Sequence, residues 1–215
     1  MKKIIILFGA PGSGKGTLGD CIKAELIAQG KFSPQKLHYV STGDLLRAEI
    51  ASGSELGKKI SSIVQAGGLV SDEIVEQLIR KALCELKDGN LMFLDGYPRT
   101  KVQMEALSTM LDESFYVTTI KRNTDESVIK SRITKRRVCA VCKTTHTVDD
   151  GKCQKCGGPS TIRKDDSVIE KRLEEYHANT EPIWNYMALI SKRVCTVNNN
   201  EEASDAAKRI VHKHF

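Results

Sequence analysis

The chain has 215 residues, of which 40% are hydrophobic and 28% are charged, as in an ordinary soluble globular protein of one domain or of one domain with an insertion. No apolar stretch approaches the ~20 residues of a membrane span, and the first apolar run, IIILFGA, is too short for a secretion signal. The net charge of +6 predicts an anionic partner, and seven cysteines without a secretion signal argue against a disulfide scaffold and for a reducing cytosol.

Short apolar runs alternate with helical patterns along the chain. The predicted strands are KIIILF (3–8), LHYVS (37–41), LMFLD (91–95), FYVTTI (115–120) and RVCTV (193–197). Several are apolar at successive positions, which is typical of strands covered on both faces. An amphipathic helix is predicted over 71–87 with Ser71 as its cap. The alternation predicts an α/β fold in three layers, with a central parallel five-stranded sheet between helices.

Two segments interrupt this alternation. The first, roughly 42–71, is predicted to be wholly helical. The second, roughly 137–165, contains most of the cysteines and follows the basic stretch KSRITKRR. Both are predicted to be excursions from the sheet.

The loop GAPGSGKGT follows the first predicted strand directly. Gly9, Gly14 and Lys15 fit the pattern G-x-x-x-x-G-K, and Thr17 stands one place later than usual. Glycines let backbone N–H groups curl around phosphate oxygens, and the next helix directs its positive dipole end at the same anion. The loop therefore predicts phosphate binding, with Lys15 on the terminal phosphates and Thr17 helping to hold Mg²⁺.

Charged residues in later loops favour the same chemistry. Asp95 ends a predicted buried strand, where a carboxylate can hold Mg²⁺ through water, although a helix cap is the alternative. Arg47 and Arg99 stand in short loops, as bidentate phosphate recognition requires. A single arginine is usually a solvated surface charge, but four further arginines favour a phosphate site here. They are Arg132, Arg136, Arg163 and Arg172. The first two, four residues apart, are predicted to share the face of one helix.

Four cysteines form two Cys-x-x-Cys pairs separated by ten residues. They are Cys139, Cys142, Cys153 and Cys156. Their thiolates can surround Zn²⁺ tetrahedrally, with empty reduced thiols as the alternative, and a closed four-sulfur site predicts a structural metal. His146 fits neither pair and is predicted to lie on the surface. The remaining cysteines are predicted to be small core residues: Cys21, Cys84 and Cys195.

Seven motifs occur in one order along nearly the whole chain. They are GAPGSGKGT, STGDLLR, GLVSDE, LDGYPRT, RITKRR, RKDD and KRLEEY. Together they resemble the adenylate kinase family, in the form whose lid carries cysteines. The resemblance implies a P-loop NTPase fold in three parts. These are a core (1–41, 72–136 and 166–215), a helical flap for the nucleoside monophosphate (42–71) and a small zinc-bearing lid (137–165).

The resemblance also implies roles for individual residues. The residues implied for ATP are Gly12, Ser13, Gly14, Lys15, Gly16, Thr17, Arg132 and Arg136. Those implied for AMP are Thr42, Arg47, Gly68, Val70, Gly96, Arg99 and Gln103, with Arg163 and Arg172 bridging to the transferring phosphoryl group. The implied catalytic set is Lys15, Asp95, Arg99, Arg132, Arg136, Arg163 and Arg172.

The implied reaction is the reversible, Mg²⁺-dependent transfer ATP + AMP = 2 ADP under a closing lid. The resemblance implies a cytoplasmic monomer that binds ATP, AMP and ADP and neither nucleic acid nor membrane. One alternative is a kinase for UMP or CMP. Another is a zinc-ribbon ATPase that binds nucleic acid, against which stands the lack of aromatic residues between Tyr116 and Tyr176. The stretch VNNNEE (197–202) replaces the Asp-Gly turn that usually backs the ATP adenine, so the choice of donor base stays open.

Overall fold

A computed structural model describes residues 1–65, 70–142, 145–146, 151–162 and 169–215. Its strands are β1 (Lys2–Phe8), β2 (Leu37–Ser41), β3 (Leu91–Asp95), β4 (Phe115–Arg122), β5 (Arg137–Cys139), β6 (Thr145–His146), β7 (Ser160–Ile162) and β8 (Arg193–Val197). Its α-helices are α1 (Lys15–Ala28), α2 (Thr42–Ala51), α3 (Glu55–Gln65), α4 (Asp72–Glu85), α5 (Lys101–Met110), α6 (Glu126–Thr134), α7 (Ile169–Glu175), α8 (Trp184–Ile190) and α9 (Ala203–His214). A π-helical turn, Tyr176–Thr180, and a 3₁₀ turn, Glu181–Ile183, join α7 to α8.

The central sheet has five parallel strands in the order β2-β3-β1-β4-β8. The predicted fold class is therefore confirmed, and each predicted strand is present. Two of them are longer than predicted, since β1 begins at Lys2 and β4 continues to Arg122. Because all strands run the same way, the loops after β1, β3, β4 and β8 meet at one edge of the sheet, which is where ligands bind in such folds.

Helices cover both faces of this sheet. Alternate residues of β1 point to opposite faces, so Ile5 and Leu7 pack against α1 and α9. Ile4 and Ile6 pack in the other layer, with α4, α5, α6 and α8. This double burial explains the uninterrupted apolar run of β1. Among the helices that the structure describes, none is both long and apolar enough to cross a bilayer.

Both excursions have structure of their own. In the first, the hydroxyl of Ser41 accepts a hydrogen bond from the backbone N–H of Asp44 at 3.2 Å and so caps α2. Ile60 of α3 is fully buried against α4, which anchors the excursion to the core. The second contains a separate antiparallel sheet of three strands in the order β6-β5-β7. Over its described residues the first excursion is helical, as predicted.

Three local predictions need correction. Ser71 does precede α4, but its side chain makes no capping hydrogen bond. Cys84 is exposed and not in the core, because it follows the buried Leu83 on α4 and one residue turns a helix by ~100°. The other two cysteines match the prediction better, since Cys195 is buried and Cys21 packs against the core. His146 is half-buried and bonded to Ser160, not a plain surface residue.

Candidate active site

The loop between β1 and α1 has the geometry of an anion cradle. Gly12 and Gly14 adopt φ angles of +82° and +89°, a left-handed conformation that strains any residue with a Cβ. Gly14 is also the N-cap residue of α1, so the first N–H groups of that helix have no partner within it. The backbone therefore presents donors and the positive end of the helix dipole to the loop.

Lys15 lies within this loop. Its ammonium donates hydrogen bonds to the carbonyl oxygens of Gly9 and Ala10, each at 2.8 Å. Burial lowers the pKa of Lys15 to about 8, and the nearby carboxylate of Asp95 opposes that shift. An ammonium that is dehydrated and held by two neutral carbonyls is well placed to exchange them for phosphate oxygens.

Basic side chains from three other segments converge on Lys15. Arg99, Arg172 and Arg136, in falling order, add to the lowering of the Lys15 pKa, so their charges lie close to its ammonium. Arg132 reaches the same loop from α6, with Nη1 3.5 Å from the carbonyl oxygen of Ser13. Side chains more than 150 positions apart in the sequence thus share one site. The predicted Arg163 lies outside the described residues.

Arg132 and Arg136 do not share a helix as predicted. The helix α6 ends at Thr134, and Lys135 is its C-cap residue. The backbone N–H of Arg136 instead bonds the carbonyl oxygen of Ile133 at 3.0 Å, which tightens the turn after the helix. Arg132 therefore approaches from the last turn of α6, and Arg136 from the loop that leads into β5.

A second cluster lies at the carboxyl end of β3. Thr42 Oγ1 donates to the carbonyl oxygen of Gly96 at 2.9 Å and accepts from Arg99 Nη2 at 3.3 Å. The Nε of Arg99 donates to the same carbonyl at 2.8 Å, and the Arg99 backbone N–H donates to Gln103 Oε1 at 2.7 Å. Four residues of the predicted AMP set are thus hydrogen-bonded into one unit.

Residues that sequence reasoning missed support this unit. Gln103 Nε2 donates to Asp72 Oδ1 at 2.7 Å, and Thr100 Oγ1 donates to Asp72 Oδ2 at 3.0 Å. Thr180 Oγ1 donates to the Arg99 carbonyl oxygen at 2.8 Å. In the sequence, Asp72 has the ordinary features of an acidic residue in the first turn of a helix. Its contact with Gln103 could not be predicted from neighbouring residues.

Asp95, the predicted Mg²⁺ residue, is held by a tyrosine. Tyr39 donates its hydroxyl to Asp95 Oδ2 at 2.9 Å, and its ring stacks on Phe93 with centroids 5.9 Å apart. Burial raises the pKa of Tyr39, and the negative charge of Asp95 raises it further, so the phenol stays a donor. The sequence placed Tyr39 on a predicted strand and gave no sign of this contact.

The remaining predicted residues are less constrained. Thr17 lies exposed in the first turn of α1. Arg47 lies on α2 and not in a short loop as predicted, because the capped helix begins at Thr42, and it forms an exposed ion pair with Asp44 at 2.5 Å. Val70 is half-buried and packs at the junction of the flap helices and the core, whereas Gly68 lies outside the described residues.

The four predicted metal cysteines come together beside the small sheet. Their sulfurs all lie within 4.8 Å of one another, and the Cys139–Cys156 and Cys142–Cys153 pairs are each 3.5 Å apart. Four sulfurs at ~2.3 Å from a tetrahedral zinc ion would lie about 3.8 Å apart, so this donor set fits the ion. The backbone N–H of Cys142 lowers the pKa of the Cys139 thiol, which favours the thiolate form that binds metal.

Comparison with known proteins identifies the family. A family model described as adenylate kinase matches residues 7–192. The chain belongs to the adenylate kinase family. An adenylate kinase of Nitrosococcus oceani is 37% identical over 216 residues, covering 95% of each chain. One of Paramagnetospirillum magneticum is 40% identical over 193 residues, covering 85% of each chain. One of Desulforudis audaxviator is 36% identical over 192 residues, covering 85% of this chain and 86% of the relative.

Membership in the adenylate kinase family makes the chain a phosphotransferase. The family reaction is the transfer ATP + AMP = 2 ADP, with ATP carried as its Mg²⁺ complex. The predicted family, enzyme class and reaction are therefore confirmed.

Proposed function

We propose that phosphoryl transfer takes place between a donor nucleotide in the P-loop and AMP at the Thr42–Gly96–Arg99 cluster. The sheet order supports this assignment. The acceptor cluster lies beyond β3, on one side of β1, and β4 and β8 lie on the other. The donor phosphates lie between these two regions, so the monophosphate and the donor base extend to opposite sides.

The observation that carries this proposal is the convergence of Arg99, Arg136 and Arg172 on Lys15. Two polyphosphates repel each other, and cations fixed around the meeting point offset that repulsion in a site of low dielectric. Burial holds the pKa of Lys15 well below its ordinary range, and the charges of Arg99, Arg172 and Arg136 lower it further. Together these cations stabilise the anionic transition state.

The chemistry needs positioning more than proton transfer. A phosphate monoester is already a competent nucleophile near neutral pH, so AMP requires no general base. In-line alignment of the two nucleotides and charge stabilisation account for the catalysis. The roles proposed for Gly12, Ser13, Gly14, Gly16 and Thr17 are contacts to the ATP phosphates.

Asp95 and Thr17 suit Mg²⁺ because that ion prefers oxygen ligands. Tyr39 occupies Oδ2 of Asp95 and leaves Oδ1 for a water of the ion's shell. When bound with ATP, Mg²⁺ supplies charge neutralisation at the β- and γ-phosphates. The chain's own contribution is a carboxylate with a fixed orientation.

The two excursions act as covers in this proposal. The flap (42–71) carries Thr42, Arg47 and Val70 to the AMP side, and Gly68 belongs to the same segment. The lid (137–165) follows Arg132 and Arg136 directly and carries Arg163. Their closure would exclude water, which otherwise competes with AMP for the γ-phosphate.

We propose that the cysteine cluster binds Zn²⁺ as a structural metal. All four positions would be filled by Cys139, Cys142, Cys153 and Cys156, so no site is left for catalysis. The ion would hold the interior of the lid, which has little apolar content to form a core of its own.

The test is a coupled assay of phosphoryl transfer from ATP to AMP, UMP, CMP and GMP. We expect AMP-dependent turnover that requires Mg²⁺ and runs in reverse from ADP. Equal turnover with UMP or CMP would replace the AMP assignment with a pyrimidine one.

We further propose a monomer that works in the cytoplasm without nucleic acid. Light scattering of the purified protein and a gel shift against random DNA and RNA test the first and last of these points.

A further inference from the structure

Arg122, the last residue of β4, is a buried cation with no assigned role. Arg122 is only 5% exposed, which makes it the least exposed charged residue in the described part of the chain. Burial lowers the pKa of Arg122, and the nearby charge of Arg132 lowers it further. A buried guanidinium is costly unless hydrogen bonds offset its loss of hydration.

Arg122 ties β4 to the loop after β8. Its Nη1 donates to the carbonyl oxygen of Glu201 at 2.8 Å. The carboxylate of Glu201 in turn accepts two hydrogen bonds from Arg209 of α9, each at 2.8 Å. Glu201 is therefore fixed from both sides, through its backbone by β4 and through its side chain by α9.

Asparagines of the same loop bind the segment after β4. The backbone N–H of Asn123 donates to Val197 O at 2.9 Å, and Asn123 Nδ2 lies 3.4 Å from Asn198 Oδ1. Asn199 Nδ2 donates to Asp125 Oδ2 at 2.9 Å. The loop 198–202 is thus pinned along its length to the carboxyl end of β4.

The other side of Arg122 abuts the P-loop. A Cβ built on Gly9 would lie 2.6 Å from the Arg122 carbonyl oxygen, so only glycine lets the two backbones approach this closely. Arg122 thereby links the P-loop on one side with loop 198–202 on the other. This is the β4–β8 side, toward which the donor base extends in the proposed function.

We propose that Arg122 is a positioning residue for the donor nucleotide, which sets the distance between loop 198–202 and the P-loop and so the fit of the donor base. The proposal rests on the assignment of ATP to the P-loop. It concerns binding of the donor and not phosphoryl transfer itself, because Arg122 is buried and its guanidinium bonds loop 198–202.

The experiment compares steady-state kinetics of Arg122→Met, Arg122→Lys and the wild type with ATP and with GTP. Lys208→Met on α9 is the control, since Lys208 is exposed and forms a long ion pair with Asp205, at 4.0 Å. We expect Arg122→Met to raise KM for ATP about tenfold, which corresponds to about 1.4 kcal/mol. KM for AMP and kcat should change by less than about twofold, because the lost hydrogen bond fixes loop 198–202, which is proposed to affect only the fit of the donor base.

The preference for one donor base over the other should also shrink in Arg122→Met, with Arg122→Lys between the two. Titration calorimetry with a non-hydrolysable ATP analogue gives the same comparison without turnover. If Arg122→Met does not fold, Arg209→Met loosens the loop from the exposed side and should move KM for ATP in the same direction.

Unchanged KM for ATP in a folded variant, or equal changes for ATP and AMP, would overturn the proposal. A wild-type protein without AMP-dependent turnover would instead overturn the proposed function, so the two failures are distinguishable.

Discussion

At Arg99 the guanidinium is held in position before a nucleotide is present. Nε and Nη2 are bonded to Gly96 and Thr42, while the backbone on both sides is fixed by Gln103 and Thr180. Such preorganisation reduces the entropy that is lost when a phosphate binds. A cation that strengthens its contact as charge moves toward the acceptor contributes to turnover as well as to affinity.

We therefore predict that Arg99→Ala lowers kcat/KM for AMP roughly a hundredfold or more, with part of the loss in kcat. Arg99→Lys should recover only part of it, because an ammonium lacks the planar fork. Steady-state kinetics with varied AMP provide the measurement, with Arg80→Ala as the control, since Arg80 is an exposed residue that pairs with Glu76 on the same helix. If Arg99→Ala kept wild-type kinetics, Arg99 would be a surface charge without a role in AMP binding.

Tyr39 orients the carboxylate of Asp95. Tyr39→Phe removes one hydrogen bond to Asp95 and keeps the ring stacked on Phe93. We expect the Mg²⁺ concentration for half-maximal activity to rise about tenfold, as for other partners that orient a metal-binding carboxylate. Tyr116→Phe is the matched control, because that hydroxyl accepts a hydrogen bond from the exposed Arg193. An unchanged Mg²⁺ dependence would show that Asp95 has no role in binding the ion.

Between elements, an imidazole joins α6 to the turn after α7. His177 Nε2 lies 2.9 Å from Glu126 Oε1 of α6, and His177 Nδ1 lies 2.7 Å from Glu181 Oε2. Both nitrogens must donate to satisfy both carboxylates, so the bridge needs the protonated ring. The hydrogen bond to Glu181, followed by that to Glu126, raises the pKa of His177 against its burial. The joined elements carry Arg132 and Arg172.

The sign of the pH dependence follows from that shift. A folded-state pKa above the unfolded value makes the bridge fully stabilising below about pH 6.5, and the contribution is lost as pH rises through the folded pKa. Since His177 is 45% exposed, we expect no more than about 1 kcal/mol from the bridge. Lys121, 3.6 Å from Glu181, also competes for that carboxylate.

The measurement is the free energy of unfolding of wild type and His177→Asn between pH 5.5 and 9. We predict a difference that is largest at the acidic end and shrinks toward the alkaline end. The exposed His212 supplies the control as His212→Asn. A difference that grew with pH would refute a protonated bridge.

At the scale of the whole molecule, two sheets divide the structure. The large parallel sheet has two buried layers, whereas the three-stranded sheet has the cysteine cluster at its side. Binding of structural zinc contributes about 10–16 kcal/mol of folding free energy in small modules. Segments shorter than ~40 residues usually need such a metal or a disulfide to fold, and the lid is one of them. The metal should therefore stabilise the lid and leave the core intact.

We predict that Cys139→Ser with Cys142→Ser, or a strong chelator, lowers Tm and raises KM for ATP more than KM for AMP. Far-UV circular dichroism should show that the core stays folded. Cys84→Ser is the control, because Cys84 is an exposed thiol outside the cluster. Metal content by mass spectrometry completes the test. Full activity and unchanged melting in freshly reduced, zinc-free protein would contradict a structural metal.

Features that depend on neighbouring residues could be predicted from the amino-acid sequence. Strand periodicity, the phosphate loop and the spacing of the cysteine pairs each depend on neighbouring residues, and all of them are present in the structure. The order of the motifs also sufficed to predict the family. The end of α6 before Arg136 was not predicted, because boundaries of elements depend on a few tenths of a kcal/mol and on tertiary contacts.

Which polar groups contact one another could not be predicted, because those contacts depend on the packing of distant segments. Tyr39 bonds Asp95, Asp72 bonds Gln103 and Arg122 bonds Glu201 across 56, 31 and 79 positions of the chain, respectively. None of these pairs leaves a local signal, since each partner alone reads as an ordinary strand, cap or loop residue. The parallel sheet brings them together because it gathers the carboxyl ends of distant strands at one edge, and that edge is where the site forms.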